Sequence, residues 1–328
     1  FGGIVAVGKQ FLTYKEALIL EKLPKSLLII GAGAIGVEFA TIWNSYGSQV
    51  TIVEMMNNIL PMEDVEISTE LTSSLTKAGI RILNNTKVEH INVDGPNISL
   101  AISNNNDHSS ISADQVLVAI GFTPNTQGLG LETIGVEMDS QGFIKIDNRM
   151  STNIDNVYAI GDVTGKLLLA HVASAQGIVV AETIAEHPTV TLDYKMLPRA
   201  TYCHPEVASF GYTELEAQES GYDTKISKFR FSANGKALGM GDHNGWIKIV
   251  GDNKRNTILG VHLIGPQVTE LLPELSLAYN MELTADNIAR NVHAHPTLSE
   301  AIMETAQGLV CLLYTSPSPR DQRGSGMA

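Results

Sequence analysis

The chain has 328 residues, of which 44% are apolar and 17% charged, so it is long enough for two or three domains with a sizeable core. Its formal net charge of −13, from 35 acidic and 22 basic residues, argues against nucleic acid or an anionic membrane as the main partner, since either favours a basic face. Two cysteines, Cys203 and Cys311, give no disulfide framework and point to a reducing compartment, and the longest apolar stretch, Ser26 to Trp43, is broken by glycines and Glu38 and does not read as a membrane helix.

Ser26 to Ile30 is a short apolar run ended by glycine, the pattern of a buried parallel strand. Ala34 to Tyr46 has apolar residues at helical spacing and is closed by Gly47. Gln49 to Glu54 reads as a second strand, Asp64 to Lys77 as a second helix closed by Gly79, and Arg81 to Leu83 as a third strand, giving the βαβαβ order of a mononucleotide-binding half. Val88 to Val93, Ile98 to Ile102 and Ser110 to Ser112 predict an antiparallel meander with turns at Asp94-Gly95 and Asn104 to Asp107. Gln115 to Ile120 returns to a buried strand. Further strands are expected at Gly142 to Asp147 and Val157 to Ile160, and a helix at Ala170 to Glu186. From Pro198 the pattern changes to strands at Glu206 to Gly211, Lys225 to Phe231, Trp246 to Val250 and Ile258 to Ile264, with helices near Val268 to Tyr279 and Leu298 to Thr305. Phe1 is not a start methionine, and the first residues read as the middle of a fold. From Cys311 the composition shifts to Ser, Pro, Arg and Gly without an apolar period; this predicts a disordered tail resembling translated cloning sequence.

Gly31-Ala-Gly33-Ala-Ile-Gly36 matches G-x-G-x-x-G between a strand and a helix. The first glycine allows the tight turn, the second lets a pyrophosphate approach the backbone, and the third lets helix pack on strand. The helix N-terminus then offers free N–H groups to the phosphates. Alone, the motif also fits a plain glycine turn. Glu54 at the end of the second strand, about twenty residues on, supplies the acid that would grip the adenosine ribose hydroxyls. That carboxylate would repel a 2′-phosphate, and Met55-Met-Asn-Asn58 offers no arginine, so NAD is expected over NADP.

These residues carry a family resemblance that extends over about residues 1–309. Gly31 to Ala40, with Glu38, resembles the NAD domain of the pyridine nucleotide–disulfide oxidoreductases. Gly121-Phe-Thr-Pro-Asn125 resembles the exit from that domain, and Thr152 to Asp162 resembles the second flavin motif. The resemblance implies that Asp162 meets the ribityl chain of FAD, that Ala170 at the next helix start lies near the flavin ring, and that Glu38 sits near the nicotinamide–flavin junction. Read as residues alone, Asp162 is a Gly-Asp turn and Glu38 is helix surface. His293-Ala-His-Pro-Thr-Leu-Ser-Glu300 is similar to the C-terminal active-site segment of dihydrolipoamide dehydrogenases. There His295 would be the acid–base and Glu300 its orienting carboxylate, with His293 in a supporting role. The chemistry suits the pair: a dithiol attacks a disulfide as thiolate, and histidine titrates near working pH. Without the resemblance the segment is a His-Pro turn before a helix, with Thr297 or Ser299 as N-cap. Tyr202 to Gly211 and Phe231 to Gly239 resemble the family's interface domain, where Cys203 reads as a buried thiol.

The fold class this implies is α/β: a Rossmann-like NAD domain with an inserted antiparallel meander (12–122), a returning part of an FAD domain (123–195) and a C-terminal α+β interface domain (196–309), with 1–11 a remnant of the FAD domain and 310–328 the tail. The implied function is NAD- and FAD-dependent oxidation of dihydrolipoamide by a homodimer that serves lipoyl domains of 2-oxoacid dehydrogenase complexes, in the cytoplasm or a mitochondrial matrix, with no metal, nucleic acid or membrane partner. The family's first FAD motif and its C-x-x-x-x-C pair are not in these residues, so the chain as written is expected to be inactive in disulfide exchange. Another flavin disulfide reductase, an NAD(P) transhydrogenase or a non-catalytic NAD-binding module are the alternatives.

Overall fold

The computed structural model describes residues 10–94, 97–105 and 107–310. Residues 1–9, the tail from Cys311, and Gly95 and Asn106 of the expected meander turns lie outside them. The chain divides into two compact units, one drawn from the ranges 1–120 and 198–328 and the other from 121–197.

The first unit begins with β1 (Phe11–Leu12), α1 (Tyr14–Leu18), β2 (Ser26–Ile30), α2 (Ala34–Ser45), β3 (Gln49–Val53), α3 (Val65–Lys77), β4 (Arg81–Leu83), β5 (Lys87–Asp94), β6 (Asn97–Asn104), β7 (Asp107–Ala113) and β8 (Gln115–Val118). Strands β1, β8, β2, β3 and β4 form a parallel sheet in that order. The central strand β2 is a continuous apolar run because both its faces are covered. Leu27 and Ile29 pack with Val37, Ala40, Ile67 and Leu71 of the two helices. Leu28 and Ile30 point the other way and pack with Ile98, Leu100 and Ile102 of β6. The antiparallel meander β5-β6-β7 therefore covers the face that the helices leave open. Gly47 and Gly79, at φ +98° and +96°, end α2 and α3 in the left-handed conformation that the sequence predicts for helix caps.

The second unit holds α4 (Leu131–Ile134) and α5 (Ala170–Ile184). The strands expected at Gly142 to Asp147 and Val157 to Ile160 form only isolated bridges, Met138 to Ile144 and Ser151 to Tyr158. The cause is local. The Asp139 carboxylate accepts the N–H groups of Gln141 and Phe143, and that of Asp147 accepts those of Arg149 and Ser151. The turn at Asp139 takes the Phe143 donor of the first expected strand, and the turn at Asp147 bends the chain just after it.

The first unit resumes with β9 (Arg199–Thr201), β10 (Glu206–Gly211), α6 (Glu214–Glu219), β11 (Thr224–Arg230), α7 (Gly235–Met240), β12 (Trp246–Asp252), β13 (Ile258–Gly265), α8 (Val268–Asn280), α9 (Ala285–Arg290) and α10 (Glu300–Val310). The strands form an antiparallel sheet in the order β11-β12-β13-β10-β9. Edge strand β9 and helices α6, α7 and α9 are too short for a hydrophobic period to reveal them, although Thr213 and Glu216 make a capping box at α6. Alternate residues face opposite ways. Phe210 meets Tyr279 of α8, with ring centroids 6.0 Å apart, whereas the neighbouring Ser209 belongs to the other face.

On that other face one register row crosses the whole sheet: Lys228, Lys248, His262, Ser209 and Arg199 are successive Cα partners. Acids from the segment before α3, from its first turn and from the start of α6 meet it. Arg199 Nε lies 3.2 Å from Glu63 Oε1, and Lys248 Nζ lies 3.1 Å from Asp64 Oδ2 and 2.9 Å from Glu214 Oε2, while Lys228 pairs with Glu66. Burial works to lower the Lys248 pKa, but the bond to Glu214 and the Asp64 charge hold it above the usual lysine value. His262 is fully buried and its pKa is pushed down, burial outweighing the Tyr212 carbonyl that its Nε2 meets at 3.0 Å.

His262 therefore contributes to the acid response of the fold. A histidine whose pKa is lower folded than unfolded leaves the unfolded chain with the extra proton below the unfolded value of about 6.5. Stability is therefore expected to decline as pH falls below that value, and His262→Gln should flatten the decline in urea midpoints measured between neutral and mildly acid pH. An unchanged slope in the variant would assign the acid response to other groups.

Candidate functional site

The sequence brings Gly31, Gly33, Gly36 and Glu54 to the C-terminal edge of the parallel sheet, where β2 passes into α2 and β3 ends. Gly31 has φ +100°, and a Cβ there would lie 2.5 Å from the Ala119 carbonyl oxygen. A Cβ on Gly36 would lie 2.0 Å from the Gly31 carbonyl oxygen, so the third glycine permits the contact of helix with loop. Gly33 differs. A Cβ there meets nothing within 4 Å, and as the N-cap of α2 it has no side chain to occupy the helix's free N–H groups. The loop thus has open room over uncapped donors, which fits a pyrophosphate.

Glu54 is buried, and its carboxylate ties the loop to the strand end. Oε2 accepts the Ala32 N–H at 2.6 Å and Oε1 accepts the Met56 N–H at 2.8 Å. Each oxygen keeps a further lone pair that can accept a ribose hydroxyl. The acid expected from the motif therefore has a second task that its spacing did not reveal: it shapes the turn.

Glu38 lies one turn into α2 and is neither plain helix surface nor part of the phosphate loop. Its Oε1 accepts the Tyr202 N–H at 2.8 Å, and burial raises its pKa. Beside it, burial first and the Glu38 charge second push the Cys203 thiol up to about 12, which fits an inert buried thiol.

In the second unit, Asp162 lies in a 3-10 turn at Gly161–Thr164 rather than at a strand end, and its side chain is exposed. Gln176 of α5, which sequence reasoning missed, fixes this turn. Its side chain is fully buried, accepts the Gly161 N–H at 2.6 Å and donates to the Tyr194 hydroxyl at 2.9 Å. A lone glutamine in a helix gives no pattern to find. Ala170 opens α5, preceded by a residue that makes no side-chain cap, and Gly121 has φ +113° with open space at its Cβ position.

The C-terminal segment brings together the pair that the family resemblance implies. His295 Nδ1 is 2.8 Å from Glu300 Oε1, and Glu300 Oε2 accepts the Thr297 N–H at 2.8 Å. That N–H first, then the His295 ring, hold the Glu300 carboxyl below the usual carboxylate range. With Nδ1–H committed to Glu300, Nε2 is left as the acceptor, on a side chain that is 77% exposed. The peptide bond between His295 and Pro296 is cis. Thr297 is no simple cap: its hydroxyl donates to the Ala294 carbonyl at 2.7 Å, and buried Asn234 holds its carbonyl at 3.0 Å. His293 forms a second His–carboxylate pair, Nε2 to Glu274 Oε1 at 2.9 Å, which ties the segment to α8. Glu274 lies too far away in sequence to be paired with it by spacing.

Among the described residues no group of His, Cys, Asp and Glu is placed to hold a metal, and no helix is long and apolar enough to cross a membrane.

Known proteins are similar to this chain in sequence and fold. A family described as pyridine nucleotide-disulphide oxidoreductase matches residues 4–177, and the dimerisation domain of that family matches residues 197–306. Dihydrolipoyl dehydrogenase of Mycobacterium leprae is 51% identical over 300 residues, covering 91% of this chain and 64% of its own length. The Bacillus subtilis dihydrolipoyl dehydrogenase is 42% identical over 306 residues, covering 93% of this chain and 64% of its own length. Among solved structures, LpdA from Mycobacterium tuberculosis aligns with a TM-score of 0.86 at 25% identity, covering 93% of this chain and 66% of that one. The HOCl-induced flavoprotein disulfide reductase RclA from Escherichia coli aligns with a TM-score of 0.85 at 28% identity, covering 92% of this chain and 68% of that one. The chain spans slightly less than two thirds of the length of these dihydrolipoyl dehydrogenases. On the extent of both domain matches and on these identities, the chain belongs to the pyridine nucleotide-disulphide oxidoreductase family.

Proposed function

We propose that the full-length protein is a dihydrolipoyl dehydrogenase that oxidises dihydrolipoamide with FAD and NAD. The observation that carries this reading is the His295–Glu300 pair, with Nδ1 held at 2.8 Å by the carboxylate and Nε2 presented on an exposed ring. A dithiol must lose a proton before it attacks a disulfide. His295 accepts that proton at Nε2, and Glu300 fixes the tautomer and stabilises the imidazolium that results. Gly31, Gly33 and Gly36 with the first turn of α2 hold the NAD pyrophosphate, and Glu54 accepts the ribose hydroxyls and disfavours a 2′-phosphate. Asp162 accepts a hydroxyl of FAD, with Gly121 and Ala170 lining the same cofactor and Glu38 serving the nicotinamide side. Bound together, FAD and NAD supply the electron-pair and hydride transfer. The identity to dihydrolipoyl dehydrogenases supports the substrate, and the dimerisation-domain match supports a homodimer. Lipoyl domains of 2-oxoacid dehydrogenase complexes are the partners that follow from this substrate. The division into an NAD part (12–122), a flavin part (123–195) and an interface part (196–309) is proposed on the same grounds.

The test is an assay of the full-length protein for NADH formation from dihydrolipoamide and NAD. Rapid NADH formation, with little from NADP, supports the reading. No turnover of dihydrolipoamide alongside NADPH-driven reduction of another disulfide would move the protein to a different flavin disulfide reductase, a class to which the likeness to RclA also points.

A further inference from the structure

The polar row across the C-terminal sheet reaches the nucleotide loop through one short segment. Residues 55–63 run from the end of β3, just past Glu54, to the acids that meet the row. Midway, Leu60 donates its N–H to the Ala32 carbonyl at 2.8 Å, inside the glycine loop. Leu60 is buried at φ +45°, a conformation that a leucine adopts only where its surroundings impose it. The imposing contacts can be named. The Glu63 N–H donates to the Leu60 carbonyl at 2.9 Å, and the Ser68 hydroxyl reaches the same carbonyl at 3.4 Å. Glu63 is in turn held by Arg199, and Asp64 by Lys248. Beside the polar row runs an apolar one, Trp246, Ile264 and Val207, which belongs to the same core cluster as Ile59 and Leu60. The C-terminal sheet therefore grips this segment twice, by charge at its far end and by packing at its middle.

We infer that Lys248 and Arg199 are positioning residues for NAD: they hold the segment whose Leu60 amide braces the phosphate loop, so that the C-terminal sheet sets the affinity of the nucleotide site. The inference rests on the proposed NAD reading of the glycine loop. Neither side chain needs to touch the nucleotide. Arg199 and Lys248 hold the acids, the acids fix the backbone that reaches Leu60, and Leu60 fixes the Ala32 carbonyl. The Ala32 N–H is at the same time bound by Glu54 at 2.6 Å, so both backbone polar groups of Ala32 are fixed, one by the residue just before the segment and the other by Leu60 within it. Loosening the far end of the segment frees the loop whose open N–H groups must converge on the pyrophosphate.

The test is calorimetric titration of the chain with NAD and with ADP-ribose, well below the unfolding temperature, with amide hydrogen exchange at Leu60 as a second readout. Lys248→Met and Arg199→Met are expected to weaken both ligands about fivefold and to speed Leu60 exchange. Lys87→Met, which removes an exposed ion pair with Glu89, should change neither. Arg199 lies on an edge strand and is partly exposed, so its variant carries the test if Lys248→Met does not fold. Folded variants with unchanged affinity and unchanged Leu60 exchange would overturn the inference, including the case in which they only melt earlier, since that is a purely structural role. A wild-type chain that binds neither ligand would overturn the NAD reading itself and the inference with it.

Discussion

On the proposed dihydrolipoyl dehydrogenase reading, His295→Gln in the full-length protein is expected to slow dihydrolipoamide oxidation by about a hundredfold or more, while NADH-driven reduction of an artificial dye stays near wild type. Dithiol oxidation needs a base at the substrate sulfur. Hydride passing from NADH to the flavin and on to a dye needs none there. Glutamine keeps a polar side chain of similar reach, so the fold around Pro296 and Thr297 should survive, but it has no nitrogen that accepts a proton at neutral pH. Stopped-flow or steady-state assays of the two reactions separate the possibilities. Equal loss of both would mean that His295 supports the fold or the flavin environment rather than proton transfer. Glu300→Gln should fall between wild type and His295→Gln, because an amide oxygen still accepts the Nδ1–H bond but carries no charge to stabilise the imidazolium.

The second large effect separates two glycines of one motif. Gly36→Ala places a Cβ 2.0 Å from the Gly31 carbonyl oxygen, a backbone atom that cannot move without shifting the loop. It should destabilise the fold by about 3 kcal/mol and lose NAD binding together with stability. Gly33→Ala adds its methyl to open space and should leave the melting temperature almost unchanged. That space is the approach to the uncapped N–H groups of α2, so NAD affinity should still fall by about tenfold, equivalent to about 1.4 kcal/mol. Thermal melts with and without NAD distinguish the two. If Gly33→Ala binds NAD as tightly as wild type, the pyrophosphate does not lie over that position.

The sequence by itself determined four of the five parallel strands, helices α2 and α3 and the glycine loop, because each is a local signal; β1 is two residues long and shows none. A continuous apolar run marks a strand covered on both faces, and glycines at fixed offsets mark a loop where backbone must approach backbone. The pairing of His295 with Glu300 was legible only through the family resemblance of that segment; its residues alone read as a His-Pro turn before a helix, and Asn234 and Glu274, from distant elements, help hold the segment in place. The strands expected at Gly142 to Asp147 and Val157 to Ile160 form only isolated bridges; Asp139 takes the Phe143 N–H inside the first of them, and the Asp147 turn bends the chain just after it. The short helices α6, α7 and α9 were also hidden, each being too brief to show a period. Only the tertiary structure decided what depends on register between distant strands. Lys228, Lys248, His262, Ser209 and Arg199 form one row because five strands align, and nothing in the spacing of those residues predicts it. The same holds for Glu38 on Tyr202, Gln176 on Gly161 and Glu274 on His293. A single buried polar residue has no period, and its partner is chosen by the geometry of the assembled fold, where leaving a donor or acceptor unpaired costs more than any local preference.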